Sequence, residues 1–454
     1  MASPKRIALW IVGIIAALIV LVVATIAILT MVIDPNRYRA QLEAVVRKAT
    51  GQPFDIRGNL EIAWFPWLGI RMGEARFGET STAGVAPLIQ WKSARVGAQF
   101  IPLIKGELII DRVRLDQPQI YLRRLPDGSS NWEPMLDSIA QANEGKAAGD
   151  KHSRWSKPEI AGLEIRNGAL VYVDDRSGAR FNIDGWQLDI GDWSPGEPLS
   201  VNTELSVTYL ADSDSGPPLR SHIKLETVAR IAAGFDSFEL NDTELTTQLQ
   251  GGAFPENGLD LEFATPRFTG EISARKFSIA DFSLKSSGAK IQGTVSGEQS
   301  AAGLQAGGPL FVEVDSVRAL LDEFKIDAPR PRSKEALQRL ALTCEWVLRQ
   351  GLLTVKPIDL QLDDTTFTGE VARSSGEDGM LTFLLRGDRI DLARYIQLED
   401  SDSPPFELPT ETLKSLRAQG ELSFTEATMN GTVLKDVKLR LEMQDGEVRS
   451  QTAE

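Results

Sequence analysis

Cysteine and histidine are almost missing from this 454-residue chain. Cys344 is the single cysteine, which excludes an internal disulfide framework and any multi-cysteine metal site. Two histidines, His152 and His222, leave too few imidazoles for most hydrolase triads or zinc centres. Basic runs are short and the formal charge is −14, so nucleic-acid phosphates would be repelled rather than gathered. There is no GxxxxGK[ST] phosphate loop, no HExxH, no GxSxG and no dinucleotide-binding glycine fingerprint after a strand. Cys344 in "LTCEWV" reads as a small buried side chain, and His222 as a solvated strand residue. The acidic pairs Asp174–Asp175 and Asp363–Asp364 fall where turns are expected and read as turn caps. No catalytic residue, metal site or cofactor is expected, and the chain does not read as an enzyme.

What the chain has in quantity is apolar sequence, 42% of residues, enough to exclude wholesale disorder. Residues 7–33 carry no charge, which corresponds to about 40 Å of helix and reads as an uncleaved transmembrane anchor. The charges flanking it do not fix its orientation.

Immediately after this stretch, "DPNRYRAQLEAVVRKATG" predicts a short amphipathic helix over 34–51. Asp34 is placed to cap it, Pro35 suits its first turn, and Gly51 suits its stop. Tyr38, Leu42, Val45, Val46 and Ala49 share roughly 100° of arc. Two compatible roles follow. The helix packs on the next domain, or its basic flank of Arg39, Arg47 and Lys48 rests on lipid headgroups.

Beyond residue 55 the pattern has period two. Trp186, Leu188 and Ile190 alternate with polar residues in "WQLDI", as do Leu205 and Val207 in "ELSVTY". Leu259, Leu261 and Phe263 alternate in "LDLEF", and Leu439 and Leu441 in "VKLRLEM". Each predicts a strand with one dry and one wet face. Helices are few: 35–50, 132–142, 316–325, 333–342, 388–397 and 409–417. An internal echo aligns "FSLKSSGAKIQGTV" with "IDLQLDDTTFTGEV" at an offset of 76, pairing Phe282 with Ile358 and Leu284 with Leu360. With so few helices, the dry face needs a second sheet, a curl of the same sheet, or a non-protein guest.

The chain resembles the AsmA family of bacterial envelope proteins. The resemblance rests on the apolar span followed by "IDPNRYRAQLEAVVRKATGQPFDIRGNLEIAWFPWLGIRMGEA". It continues in "LIKGELIIDRVRLDQPQIYLRRLPDGSSNW" and "LEIRNGALVYVDDRSG". The last residues, "GEVRSQTAE", stop inside an expected hairpin where the family usually continues, which implies a C-terminally short version.

The resemblance implies a mainly β fold: an elongated, curled antiparallel sheet (a β-groove) with few short helices, preceded by one transmembrane helix. It divides the chain into a cytoplasmic tip (1–6), anchor (7–33), capping helix (34–51), the first part of the groove (52–140), a linker (141–157) and the continuing groove (158–454). The implied groove lining is Leu108, Ile110, Leu284 and Leu360 together with Phe282 and the alternating residues named above. Tyr38, Leu42, Val45 and Val46 would close its membrane-proximal end. The implied partners are phospholipid, the bacterial inner membrane and, at the distal end, other envelope proteins, with the bulk in the periplasm. Two acyl chains with about 30 methylenes cost on the order of 25 kcal/mol to expose to water, and an apolar trough removes most of that barrier. The competing expectation is a structural or chaperone-like factor for outer-membrane protein assembly, its dry face closed as a sandwich.

Overall fold

The computed structural model describes residues 34–63, 68–78, 87–98, 110–144, 162–194, 196–211, 217–232, 234, 236–252, 254–255, 257–301, 303–324, 333–375, 379–395, 417–429, 431–444 and 447–452. The 7–33 stretch lies outside them. Among the described residues no helix is long and apolar enough to cross a membrane. The chain forms two compact units, Met1–Trp193 with Ala211–Ser213, and Ser194–Leu210 with Asp214–Glu454.

The first unit opens with a 3-10 turn, Pro35–Tyr38, and helix α1, Arg39–Thr50. Short strands follow: β1 (Phe54–Ile56), β2 (Leu60–Ala63), β3 (Leu68–Met72), β4 (Ala75–Phe77), β5 (Ile89–Trp91), β6 (Ser93–Ala98), β7 (Ile110–Asp116) and β8 (Gln119–Arg124). Helix α2 (Glu133–Glu144) precedes the longer β9 (Leu163–Asp174) and β10 (Arg180–Ile190). One ladder runs β2–β3–β6–β7–β9–β10 and another β1–β4–β5–β8–β9. The two meet on β9, whose first half pairs with β7 and second half with β8. The switch sits at Asn167, in left-handed conformation, beside fully buried Pro118. The core is small: Phe54, Ile56, Leu60, Ala75, Phe77 and Leu88.

The second unit is a run of longer strands: β11 (Pro198–Leu210), β12 (Leu219–Ile231), β13 (Ser237–Gln250), β14 (Leu259–Glu271), β15 (Lys276–Ser286), β16 (Ala289–Ser300) and β17 (Gly303–Val314). After helix α3 (Val317–Glu323) come β18 (Leu340–Arg349), β19 (Leu352–Leu362), β20 (Thr365–Ser374) and β21 (Met380–Asp391). Helix α4 (Leu392–Tyr395) then precedes β22 (Arg417–Met429), β23 (Thr432–Gln444) and β24 (Glu447–Thr452). Each strand pairs with the next, and no pairing joins β11 to β24 among the described residues. The unit is therefore an open sheet.

A line of irregularities crosses it, at Asp242 on β13, Asp281 on β15 and the 356–357 step on β19. Bulges bend a strand and increase its twist, so this line curls the sheet. Buried threonines serve the backbone freed there. The Thr227 hydroxyl donates to the Asn241 carbonyl at 3.1 Å and lies 2.8 Å from the Thr243 hydroxyl, and Thr265 donates to the Ala280 carbonyl at 2.6 Å.

The internal echo is structural. Strands β15 and β16 start 76 residues before β19 and β20, the bulge between Ile279 and Phe282 recurs between Val355 and Ile358, and Gly293 and Gly369 stand opposite Phe282 and Ile358. The expected all-antiparallel sheet is corrected to a mixed one. β18 re-enters at Leu340 beside Val314 and runs antiparallel to β17, whereas β22 starts at Arg417 beside Met380, the beginning of β21, and runs parallel. The intervening chain, residues 396–416, is long enough for the crossover that a parallel pair requires. β9 is likewise parallel to β7 and β8.

The expected helix at 333–342 is absent. Leu337 has φ 58°, and the Asp363 carboxylate accepts from the backbone N–H groups of Leu337 and Gln338, holding an irregular turn instead. Of the 388–397 helix, 388–391 belong to the strand Met380–Asp391, α4 forms, and 396–397 lie outside the described residues. Of the 409–417 helix only Arg417 is described, as strand.

Candidate binding face

Helix α1 is positioned by the polar residues of its first turns. Asp34 accepts from the Asn36 backbone N–H at 3.0 Å. The Asn36 side chain then grips Leu60 as a strand would, accepting from its N–H at 2.9 Å and donating to its carbonyl at 3.2 Å. Arg39 donates to the Gly58 carbonyl at 2.8 Å, and Glu43 accepts from the Ile56 N–H at 2.9 Å. These bonds roll the helix roughly 60° away from its apolar arc, at 100° per residue. Leu42 and Val46 pack against the core, whereas Tyr38 and Val45 stay 56% and 64% exposed. Arg47 and Lys48 are exposed in the last turn, but the Arg39 guanidinium is engaged within the unit rather than directed at headgroups.

Behind α1 the first unit presents two apolar rows, read from the pairing register. One runs Leu60–Met72–Ala94–Leu115–Ile165–Leu188, and the helix-covered core begins at its Leu60–Met72 end. The other runs Ile62–Ile70–Val96–Val113–Leu163–Ile190, with Ile70 43% and Val96 41% exposed. Leu188 and Ile190 were expected on one face and lie there; Trp186 follows on the same face, opposite Gly168. Ile110 opens β7, and Leu108 lies outside the described residues.

In the second unit the dry face is continuous. Leu225, Leu245, Phe263, Leu284, Ile291, Val312, Leu342, Leu360, Phe367, Gly387, Phe424 and Val437 stand opposite one another in turn from β12 to β23. A second row joins Phe282 to Leu439 through Leu310, Ile358, Leu385 and Leu422. Leu205 aligns with Leu261 through Ile223, Val207 aligns with Leu259 through Leu249, and Leu441 faces Gly420. The opposite face is polar, as in Glu204–Lys224–Thr246–Glu262–Lys285.

Most of the long row is only half-buried; Phe424 and Gly387 are its buried members. The main contacts of these strands are with their ladder neighbours, so among the described residues no second sheet closes this face. Its aromatics lie low. Phe238 covers Gly270, Phe277 covers Gly297 and Phe383 covers Gly420, each ring filling the space where a Cβ would stand. Phe263 and Phe282 stack with centroids 6.2 Å apart. Such a face offers dispersion and desolvation without a hydrogen-bonding partner, which suits long hydrocarbon better than a polar ligand.

Reactive-looking groups have structural duties. Asp174 accepts from the Arg176 N–H in its turn, and Asp175 pairs with Arg123 at 2.7 Å. Asp364 pairs with Arg394, and Asp363 accepts from the Tyr395 hydroxyl at 2.8 Å. Burial, then that hydrogen bond, hold the Tyr395 phenol protonated far above its ordinary range. His222 lies between Ser206 (3.2 Å) and Glu204 (3.3 Å) on the exposed polar face. Cys344 is buried in the second apolar row, and burial raises its thiol pKa.

Sequence reasoning missed Leu225, Leu245, Val312 and Leu342, and Ile70 and Val96 in the first unit. The alternation in "HIKLETVARI" carries the signal for Ile223 and Leu225. Past each bulge the parity reverses, and alternation no longer tells which residues share a face.

No curated protein and no solved structure matches the chain. A sequence model of the AsmA family matches residues 4–393. That match spans most of the chain, and the open β-sheet and the two apolar faces fit a role in envelope biogenesis or lipid transport: the protein belongs to the AsmA family.

Proposed function

We propose that this protein binds phospholipid on its apolar face and conducts it toward the outer membrane, supporting outer-membrane biogenesis without catalysis. In this reading residues 7–33 anchor it in the inner membrane, residues 1–6 stay in the cytoplasm, and the bulk lies in the periplasm. The observation that carries it is the row from Leu225 to Val437: twelve strands of aligned, mostly half-buried residues with no covering sheet among the described ones. Acyl methylenes laid along such a row regain about 0.8 kcal/mol each relative to water. Neighbouring positions are near-equivalent, so a chain could advance strand by strand without a large barrier.

The test places charge in the row. Leu245→Asp with Leu342→Asp should leave circular dichroism unchanged, lower phospholipid co-purifying with the full chain and weaken the envelope barrier. Unchanged lipid content and barrier in a folded variant would sink the conduit. The runner-up, a chaperone-like factor for outer-membrane proteins, would instead show polypeptide crosslinks and no lipid from a photoreactive residue at Leu284.

A further inference from the structure

The polar face of the first unit carries a second ladder, of charge. Glu61, Arg71, Arg95, Arg114, Glu164 and Asp189 stand opposite one another across β2, β3, β6, β7, β9 and β10. Three arginines therefore occupy consecutive positions, with neighbouring strands about 4.8 Å apart. Like charges directly opposite are destabilising in a sheet.

Glu61 and Glu164 pair with the outer members. Arg71 reaches Glu61 at 3.9 Å, and Arg114 binds Glu164 at 2.7 Å. Glu164 is also held by Arg166 at 2.5 Å, and Asp116 accepts from the Ser93 hydroxyl at 2.8 Å. Arg95 makes no ion pair among the described residues. Burial, then the Arg71 and Arg114 charges, lower its pKa against the attraction of the Asp116 carboxylate. In the adjacent row on this face Gly69 pairs with Gly97, which is buried.

From this arrangement we infer that Arg95, flanked by Arg71 and Arg114, is a binding site for a phosphate group. A phosphate group brings negative charge and strong acceptor oxygens that neighbouring guanidinium groups can share. Asp116 is the carboxylate that acts on Arg95 from this face, and the charge of the wider region is near balance. Residues 1–193 hold 23 Lys+Arg against 21 Asp+Glu, while residues 194–454 hold 26 against 42. The site lies on the face opposite the apolar rows, and the inference does not depend on the groove reading. The phosphate belongs either to a phospholipid headgroup or to a free phosphate.

The test uses the full chain in phosphate-free detergent. Thermal unfolding and hydrogen exchange are followed with inorganic phosphate, with short-chain phosphatidylglycerol below its micellar concentration, and with chloride at matched ionic strength. Phosphate-bearing ligand should raise the melting temperature and slow exchange in β6 and β7; chloride should not. Arg95→Gln should start more stable, because a repulsion is gone, yet bind at least about tenfold more weakly, the loss of a charge-assisted hydrogen bond. Arg95→Lys should retain part of the response. A response to phosphatidylglycerol alone assigns a headgroup, and a response to both ligands assigns any phosphate. Equal effects of phosphate and chloride, or an undiminished shift in Arg95→Gln, would overturn the site.

Discussion

Phe424 lies across Gly387: a Cβ built on that glycine would stand 2.5 Å from the phenyl ring. The two residues face each other on parallel strands β21 and β22, and Phe367 meets Phe424 edge-on at 5.8 Å. The glycine lets the ring lie down and seal the strand pair that breaks the antiparallel pattern.

Gly387→Ala should lift the Phe424 ring and destabilise the second unit by about 1–3 kcal/mol, the usual cost of overpacking. Denaturant titration would register it, and Phe424→Leu in the same chain should recover part of the loss. An unchanged midpoint would show that the ring has somewhere else to go.

Asn36→Ala removes both hydrogen bonds that fasten α1 to Leu60. The expected loss is about 1–3 kcal/mol, with faster exchange of the Leu60 amide, because that group stays buried and loses its partner. Val45→Asp, on the open edge of the same helix, should change stability by less than about 0.5 kcal/mol. Val45 and Tyr38 are therefore the positions at which to probe a capping role. Leu42 and Val46 are poor choices, since charge there would disrupt the core they pack on.

Glu164 sets an acid limit on the first unit. Burial pushes its carboxyl up, but hydrogen bonds from Arg166 and Arg114 outweigh that and hold it below the usual glutamate range. A depressed folded pKa contributes stability above the unfolded value, about 4.5, and that stability is lost as pH falls through the folded value. The urea midpoint of the native chain should therefore drop more steeply below about pH 4.5 than that of Glu164→Gln. Parallel pH profiles would remove Glu164 from the account.

Tyr395→Phe deletes the hydroxyl that donates to Asp363, beside the backbone N–H groups of Leu337 and Gln338. A loss of about 1 kcal/mol is expected, with added protease sensitivity around residues 333–339. Asp363→Asn should cost more, since it weakens the acceptor for several donors at once. If the two variants were equally mild, the turn would be held by Arg394 and Asp364 instead.

Much of this protein is legible in its residues. The alternation in "VKLRLEM" and "LDLEF" gives the strands and their dry side, because side chains on a strand alternate strictly. "DPNRYRAQ" gives α1 and its cap, because Asp, Pro and Asn act on the backbone next to them. The offset of 76 between Phe282 and Ile358 gives the repeat, bulge included. The roll of α1 was not legible: Arg39 and Glu43 look like a solvent flank until strand backbone at Gly58 and Ile56 draws them inward. The helix written into 333–342 failed for a similar reason, as Asp363, distant in sequence, captured its N–H groups.

Periodicity and local backbone chemistry, acting over a few residues, thus determined a mainly β chain with one dry face. Only the tertiary structure decided that β22 runs parallel to β21, that the dry residues align into a row from Leu225 to Val437, and that Arg71, Arg95 and Arg114 stand together. Those outcomes depend on register between strands many residues apart, and a shift of one residue would send every one of these side chains to the other face.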